Sequence, residues 1–315
     1  MKNIAKLLGL LLLFSAFAMT VSAPVQAKKD FTVSTSSKPY KNKYVKNPVY
    51  NKHTKHYLTL RSYLDEMSKK GGGTLTIKKG TYNISNALLV PSNVKILLQD
   101  GVVMNKIGNS HTKKLKAGHV MFECVRSSRI NKKGVVGKYN GEKNIQIIGE
   151  GTVIMNLSGC NKSEAIRVPH CKNVLIDNIT FTNLRDGHFI EVTASKDVTV
   201  QNCTFKNNLS GERCAINLDT PDKVTNGFNG KYSKFDKTPV LNVTIQNCGF
   251  YNLHRGIDTH RFSPNKYHTN VQILGCTFKD SVQSPIMMLN WKNAVIKGNT
   301  IDTVKGWSTN NIQKE

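Results

Sequence analysis

A repeat constrains this chain more than any other feature. Five segments align without gaps: NVLIDNITF from Asn173, DVTVQNCTF from Asp197, NVTIQNCGF from Asn242, NVQILGCTF from Asn270 and NAVIKGNTI from Asn293. Weaker copies are NVKILLQDG from Asn93 and NIQIIGEGT from Asn144. Each alternates Val or Ile with polar residues, the period of a strand. Successive starts lie 24, 45, 28 and 23 residues apart, so one step holds an insertion, roughly residues 222–239. One unit cannot bury a core, but stacked units can. With no helical stretch between the strands, the expected fold is an all-β parallel β-helix with coils about 4.8 Å apart.

Stacking places equivalent residues in ladders. Asn178, Asn202 and Asn247 form one at a turn, where Asn accepts left-handed backbone. Phe181, Phe205, Phe250 and Phe278 form an inward one. Cys203, Cys248 and Cys276 share a third with Ile179 and read as small apolar filler, not disulfides or metal ligands. Tyr57, Leu60, Leu64 and Met67 step at helical spacing and stop at Gly71-Gly72-Gly73, predicting a helix that caps the open end. No equivalent cap is legible after Ile301; Trp307 and the tail are the candidates there.

Before the cap, residues 1–27 carry Lys2 and Lys6, an apolar run from Leu7 to Val21 and small residues up to Ala27, the pattern of a secretory signal peptide. Residues 28–56 are polar and aperiodic and read as a flexible basic arm, leaving 57–315 as the β-helix domain. No later segment is apolar enough to span a bilayer. The expected location is therefore extracellular, in solution or held at the cell wall. A net charge of +25 favours anionic partners, namely acidic polysaccharide or wall polymer; for an exported protein nucleic acid is not expected. Oligomeric state is not legible.

Residues 60–101, LRSYLDEMSKKGGGTLTIKKGTYNISNALLVPSNVKILLQDG, resemble the start of the pectate-lyase-like and polygalacturonase-like β-helix proteins. With the coils from 144 to 304, the resemblance implies a single-stranded right-handed parallel β-helix with a short N-terminal capping helix, and extracellular carbohydrate chemistry. The polygalacturonase catalytic motifs are absent, so no catalytic residue transfers from that family. A nearer resemblance is to uncharacterised secreted bacterial β-helix proteins with motifs similar to GHFIE at 187–191, AINLD at 215–219 and HRGIDTH at 254–260.

The site has to be argued from residues. In the second strand of each coil Ile166, Ile190, Ile216, Ile257 and Met287 align inward, with Val168, Val192, Leu218, Thr259 and Leu289. Alternation then turns outward one ladder of Arg167, Glu191, Asn217, Asp258 and Met288 and another of Pro169, Thr193, Asp219, His260 and Asn290. A third outward row, Ala165, Phe189, Ala215, Gly256 and Ile286, offers a mostly small floor, with Gly256 open to a ligand backbone. His188 and Arg255 start their strands and serve either as turn residues or as site members. The insertion interleaves Phe228, Tyr232 and Phe235 with lysines, a composition suited to walling a site for an acidic sugar chain.

Paired carboxylates beside a histidine suit glycoside hydrolysis. Asp219 is then general acid or base, Asp258 its partner, His260 the orienting group and Glu191 the reserve carboxylate. Arg167, Asn217, His188, Arg255, Gly256 and Tyr232 are the candidate substrate contacts. This reading requires no cofactor. A polysaccharide lyase or epimerase acting on uronates would instead use His260 or an arginine as base, with Ca²⁺ held by Glu191, Asp219 and Asp258. A non-catalytic glycan- or wall-binding β-helix is the third alternative; it calls for an extended basic and aromatic stripe.

Overall fold

The computed structural model describes residues 28–46, 48–208, 213–259, 261–302 and 313–314. The expected signal peptide, His260 and Trp307 lie outside them. As far as the coil that ends at Asp258, each coil contributes one strand to each of three parallel sheets. The coil from Lys172, for example, runs through Lys172–Asp177, Thr180–Leu184 and Gly187–Thr193, and the next through Lys196–Gln201, Thr204–Asn208 and Cys214–Asp219. The first sheet stacks the repeated strands from Gly73–Ile77 to His268–Leu274, and the second runs from Gly80–Ile84 to Thr300–Asp302. The third runs from Leu88–Leu89 through Val120–Glu123 and Ser163–Pro169 to Arg255–Asp258.

The corners follow from asparagine. Asn178, Asn202 and Asn247 sit at φ of 53°, 54° and 53°, a region most side chains avoid and Asn tolerates. A second row donates amide to amide along the axis, as from Asn173 Nδ2 to Asn144 Oδ1 and from Asn270 Nδ2 to Asn242 Oδ1, both 3.0 Å. Inside, Phe181, Phe205, Phe250 and Phe278 stack face to face with successive centroids 4.9, 5.0 and 4.6 Å apart. Cys203, Cys248 and Cys276 lie beside them, and all seven thiols are free and buried. Phe205 is covered on both ring faces, so Phe205→Ala should cost about 3–5 kcal/mol. Urea unfolding of the two proteins measures it.

Helix α1, Lys55–Lys69, buries Tyr57, Leu60, Leu64 and Met67 over the first coils, as the cap reading requires. The segment expected to be a flexible arm is instead built into the fold. Phe31–Val33 pairs in parallel with Leu75–Ile77, and Phe31 packs edge-on against Tyr40 and Tyr63, 5.3 and 5.1 Å away. Too few apolar residues lie there for a periodicity to show, yet three aromatics and a short strand suffice to dock it.

Two expectations of phase are corrected. The row Ala165, Phe189, Ala215 and Gly256 faces the core, not the solvent: all four are buried, and Phe189 lies 6.0 Å from Phe181 and 5.9 Å from Phe205. These residues follow the corner out of the second sheet, where alternation is not yet established, so two successive residues (Phe189 and Ile190) point in. Gly256 makes room for the next coil rather than for a ligand. A Cβ there would stand 2.5 Å from the Pro285 carbonyl oxygen and 2.8 Å from the Phe278 ring. In the last coil Ile257 bridges Ile286, not Met287, so the alignment of Met287, Met288 and Leu289 is one residue out of register.

Candidate functional site

Ladder register brings the acidic residues together on the third sheet. Arg167 pairs with Glu191, Glu191 with Asn217, Asn217 with Asp258 and Thr193 with Asp219. Beside them opens a cleft of about 450 Å³ whose lining includes Glu164, Arg167, His188, Glu191, Arg213 and Asp219. The insertion forms one wall through Asn226–Asn229, and His119, Lys162 and Asp186 complete the rim. The wall is pinned from behind: Ser233 bridges Val136, and His170 Nε2 meets Ser233 Oγ at 2.8 Å.

Arg167 organises the floor. Its guanidinium donates to both Glu164 oxygens, at 2.6 and 2.5 Å, and reaches Glu123 at 3.4 Å. Phe228 covers it at 5.4 Å. Burial alone would raise the Glu164 pKa, but the charge and hydrogen bonds of Arg167 outweigh it and hold it below the ordinary value. Glu164 is therefore ionised at neutral pH.

The neighbouring carboxyls go the other way. Burial, then the Glu164 charge, pushes Glu191 well above the usual carboxylate range, with Arg167 offsetting only part. Its Oε1 accepts from Thr193 Oγ1 at 3.1 Å. Asp219, 3 % exposed, is pushed up to about 8 by burial, against the lowering effect of the Thr220 and Phe228 amides. The Thr220 amide donates to its Oδ1 at 2.6 Å. Glu191 and Asp219 are diagonal neighbours on adjacent coils, with a Cβ separation of roughly 7 Å. His188 is held down to about 4 by burial and is neutral, with Nδ1 3.2 Å from the Cys214 carbonyl oxygen.

Other candidate residues stand elsewhere. Asp258 does not line the cleft: it is 1 % exposed and its carboxylate accepts from Arg255 Nη1 at 2.6 Å. The expected pairing of Asp219 with Asp258 is thus replaced by Asp219 with Glu191, and Arg255 is the counter-ion of Asp258. Asn217 is buried between the two acids of its ladder. Tyr232 is also buried, donating its hydroxyl to Glu123 Oε1 at 2.7 Å, so it holds Arg167's second partner and offers no face to a sugar. His260, the expected orienting group, lies outside the described residues.

Glu164, Glu123, Arg213 and His119 were not among the sequence candidates. Glu164 pairs in register with the candidate His188 at the start of the neighbouring strand, and that alignment is the signal that could have found it. Glu123 lies on a strand without the repeated motif. Of the residues named as calcium ligands, Glu191 and Asp219 line the cleft and Asp258 pairs with Arg255. Among the described residues no group of three or more acidic, His or Cys side chains is arranged to hold a metal ion. No helix among them is long and apolar enough to cross a membrane.

Known proteins share this architecture. Plasmin and fibronectin-binding protein A of Streptococcus pneumoniae (strain ATCC BAA-255 / R6) is 26% identical over 265 residues, 76% of this chain and 36% of the relative. The chain thus spans little more than a third of that relative's length. Two solved structures of PfbA, an adhesin of the same species, align with TM-scores of 0.66 and 0.64 at 20% identity, covering 82% and 80% of this chain and 61% and 65% of theirs. Residues 123–306 match the family described as the right-handed β-helix region. That match takes in more than half of the sequence, and the chain belongs to the right-handed β-helix family.

Proposed function

We propose that this is an exported enzyme that hydrolyses an acidic polysaccharide in the third-sheet cleft. One observation carries the reading: two buried carboxyls with raised pKa, Glu191 and Asp219, open on adjacent coils into one cleft beside an ionised Glu164–Arg167 pair. Glu191, kept protonated, gives its proton to the leaving glycosidic oxygen as the bond to the anomeric carbon breaks. A water attacks that carbon from the opposite face and passes its proton to ionised Asp219. A water held between the sugar and a second carboxyl is the arrangement of an inverting hydrolase. Lys162 and His119 on the rim suit anionic sugars, while Arg213 there pairs with Asp186 at 3.2 Å.

A second reading, a non-catalytic surface binder, draws on the relatives, whose names describe an adhesin that binds plasmin and fibronectin. Incubation with acidic and neutral polysaccharides separates the readings. New reducing ends without an ultraviolet-absorbing double bond support hydrolysis, and the double bond supports elimination instead. Binding without any cleavage removes the enzyme. A chelator should leave hydrolysis unchanged, since the reaction uses carboxyls alone; loss of activity on chelation, restored by calcium, would favour the lyase.

A further inference from the structure

A different face carries a second arrangement. On the second sheet, register aligns Lys206, Tyr251, Lys279 and Asp302 in one exposed row on successive coils. Tyr251 stands between two lysines, each about 4.8 Å along the axis. Neither Lys206 nor Lys279 has an ion-pair partner among the described residues; Asp302 ends the row. The adjacent outward row reads Thr180, Thr204, Gly249, Thr277 and Thr300, so a glycine interrupts threonines beside the tyrosine. A Cβ at Gly249 would stand 2.4 Å from Tyr251 Cε2, 2.7 Å from its hydroxyl oxygen and 2.8 Å from Cζ. The phenol end therefore lies down over the sheet in the gap that the glycine leaves, while the residue stays 36 % exposed. On the other flank Asn207 and Asn252 present amides, Asn252 Nδ2 reaching Asn207 Oδ1 at 3.4 Å.

We propose that this row is a binding platform for an anionic polysaccharide, separate from the cleft. The ring offers a face to the C–H side of a sugar, Lys206 and Lys279 meet carboxylates on neighbouring sugars, and the Thr and Asn rows supply hydroxyl and amide partners. The aromatic flanked by cations selects sugar rings bearing acid groups over a simple polyanion. It stands whether or not the cleft turns substrate over.

The test is binding of the full chain to polygalacturonic acid and to alginate by affinity electrophoresis, in a Glu191→Gln background so that cleavage does not interfere. Tyr251→Ala and Gly249→Thr should each weaken retention roughly tenfold, as loss of one stacking contact implies. Gly249→Thr restores the residue type found on neighbouring coils and meets only the outer end of the Tyr251 side chain, so circular dichroism and melting should match the parent. Lys206→Ala with Lys279→Ala should remove most of the salt dependence. Dextran should not be retained. Retention of neither polyuronate overturns the proposal, as does unchanged retention in both the Tyr251 and Gly249 variants. Equal retention by poly-L-glutamate, weakened by the same variants, also overturns it and makes the row a general polyanion track.

Discussion

Glu191→Gln and Asp219→Asn should each lower polysaccharide hydrolysis by about 10²–10⁴-fold, the usual contribution of a positioned acid or base. Each substitution keeps the shape and removes only the ability to exchange a proton. The wild-type rate should rise with pH towards 8, because Asp219, pushed up to about 8 by burial, must ionise to accept the water's proton. The rise ends where Glu191, whose pKa burial raises well above the ordinary carboxylate range, gives up its proton. Stability moves the opposite way. A carboxyl with a raised folded-state pKa contributes stability that is complete below its unfolded value near 4 and is lost as pH rises through about 8. Asp219→Asn should therefore melt higher than the parent at pH 7, with the gap closing towards pH 4. Rate–pH profiles and melting curves on the same preparations check both. A variant that keeps full activity removes its residue from the mechanism.

Arg167→Ala is the second large effect. Arg167 is the cation on which Glu164, Glu123 and, at longer range, Glu191 depend. Removing it leaves carboxylates in a buried setting without their partner, which typically costs about 3–5 kcal/mol. The sign with pH follows from Glu164, whose folded pKa lies below its unfolded value. The stabilisation is present above about 4.5 and lost as pH falls through the depressed value. The destabilisation of Arg167→Ala should thus be greatest at neutral pH and shrink in acid. Arg167→Lys should fall between, because an ammonium keeps the charge but not the two-pronged contact with Glu164. Chemical denaturation at pH 7 and pH 4 measures all three proteins.

The repeat was legible because a solenoid writes its geometry locally. Asn202 or Phe205 is needed on every coil for the same reason, so the pattern recurs and identifies itself. The ladder joining Arg167, Glu191, Asn217 and Asp258 could be drawn for the same reason, each residue lying at a fixed distance from a recognisable strand. What failed were places where the period breaks. At the corner before Phe189 two residues turn inward in succession, which puts Glu164 and His188 outside and buries the supposed floor.

Sequence alone decided the coil, its ladders, the capping helix and the sheet that carries the acids, since backbone period and side-chain size settle these within each unit. Only the tertiary structure decided which acids share a cleft. Arg255 takes Asp258, Arg167 takes Glu164, and the insertion closes over Asp219 through contacts with the segment around Val136. Partnerships of charge depend on the distances between side chains from different coils and loops, and no periodicity along the chain encodes those.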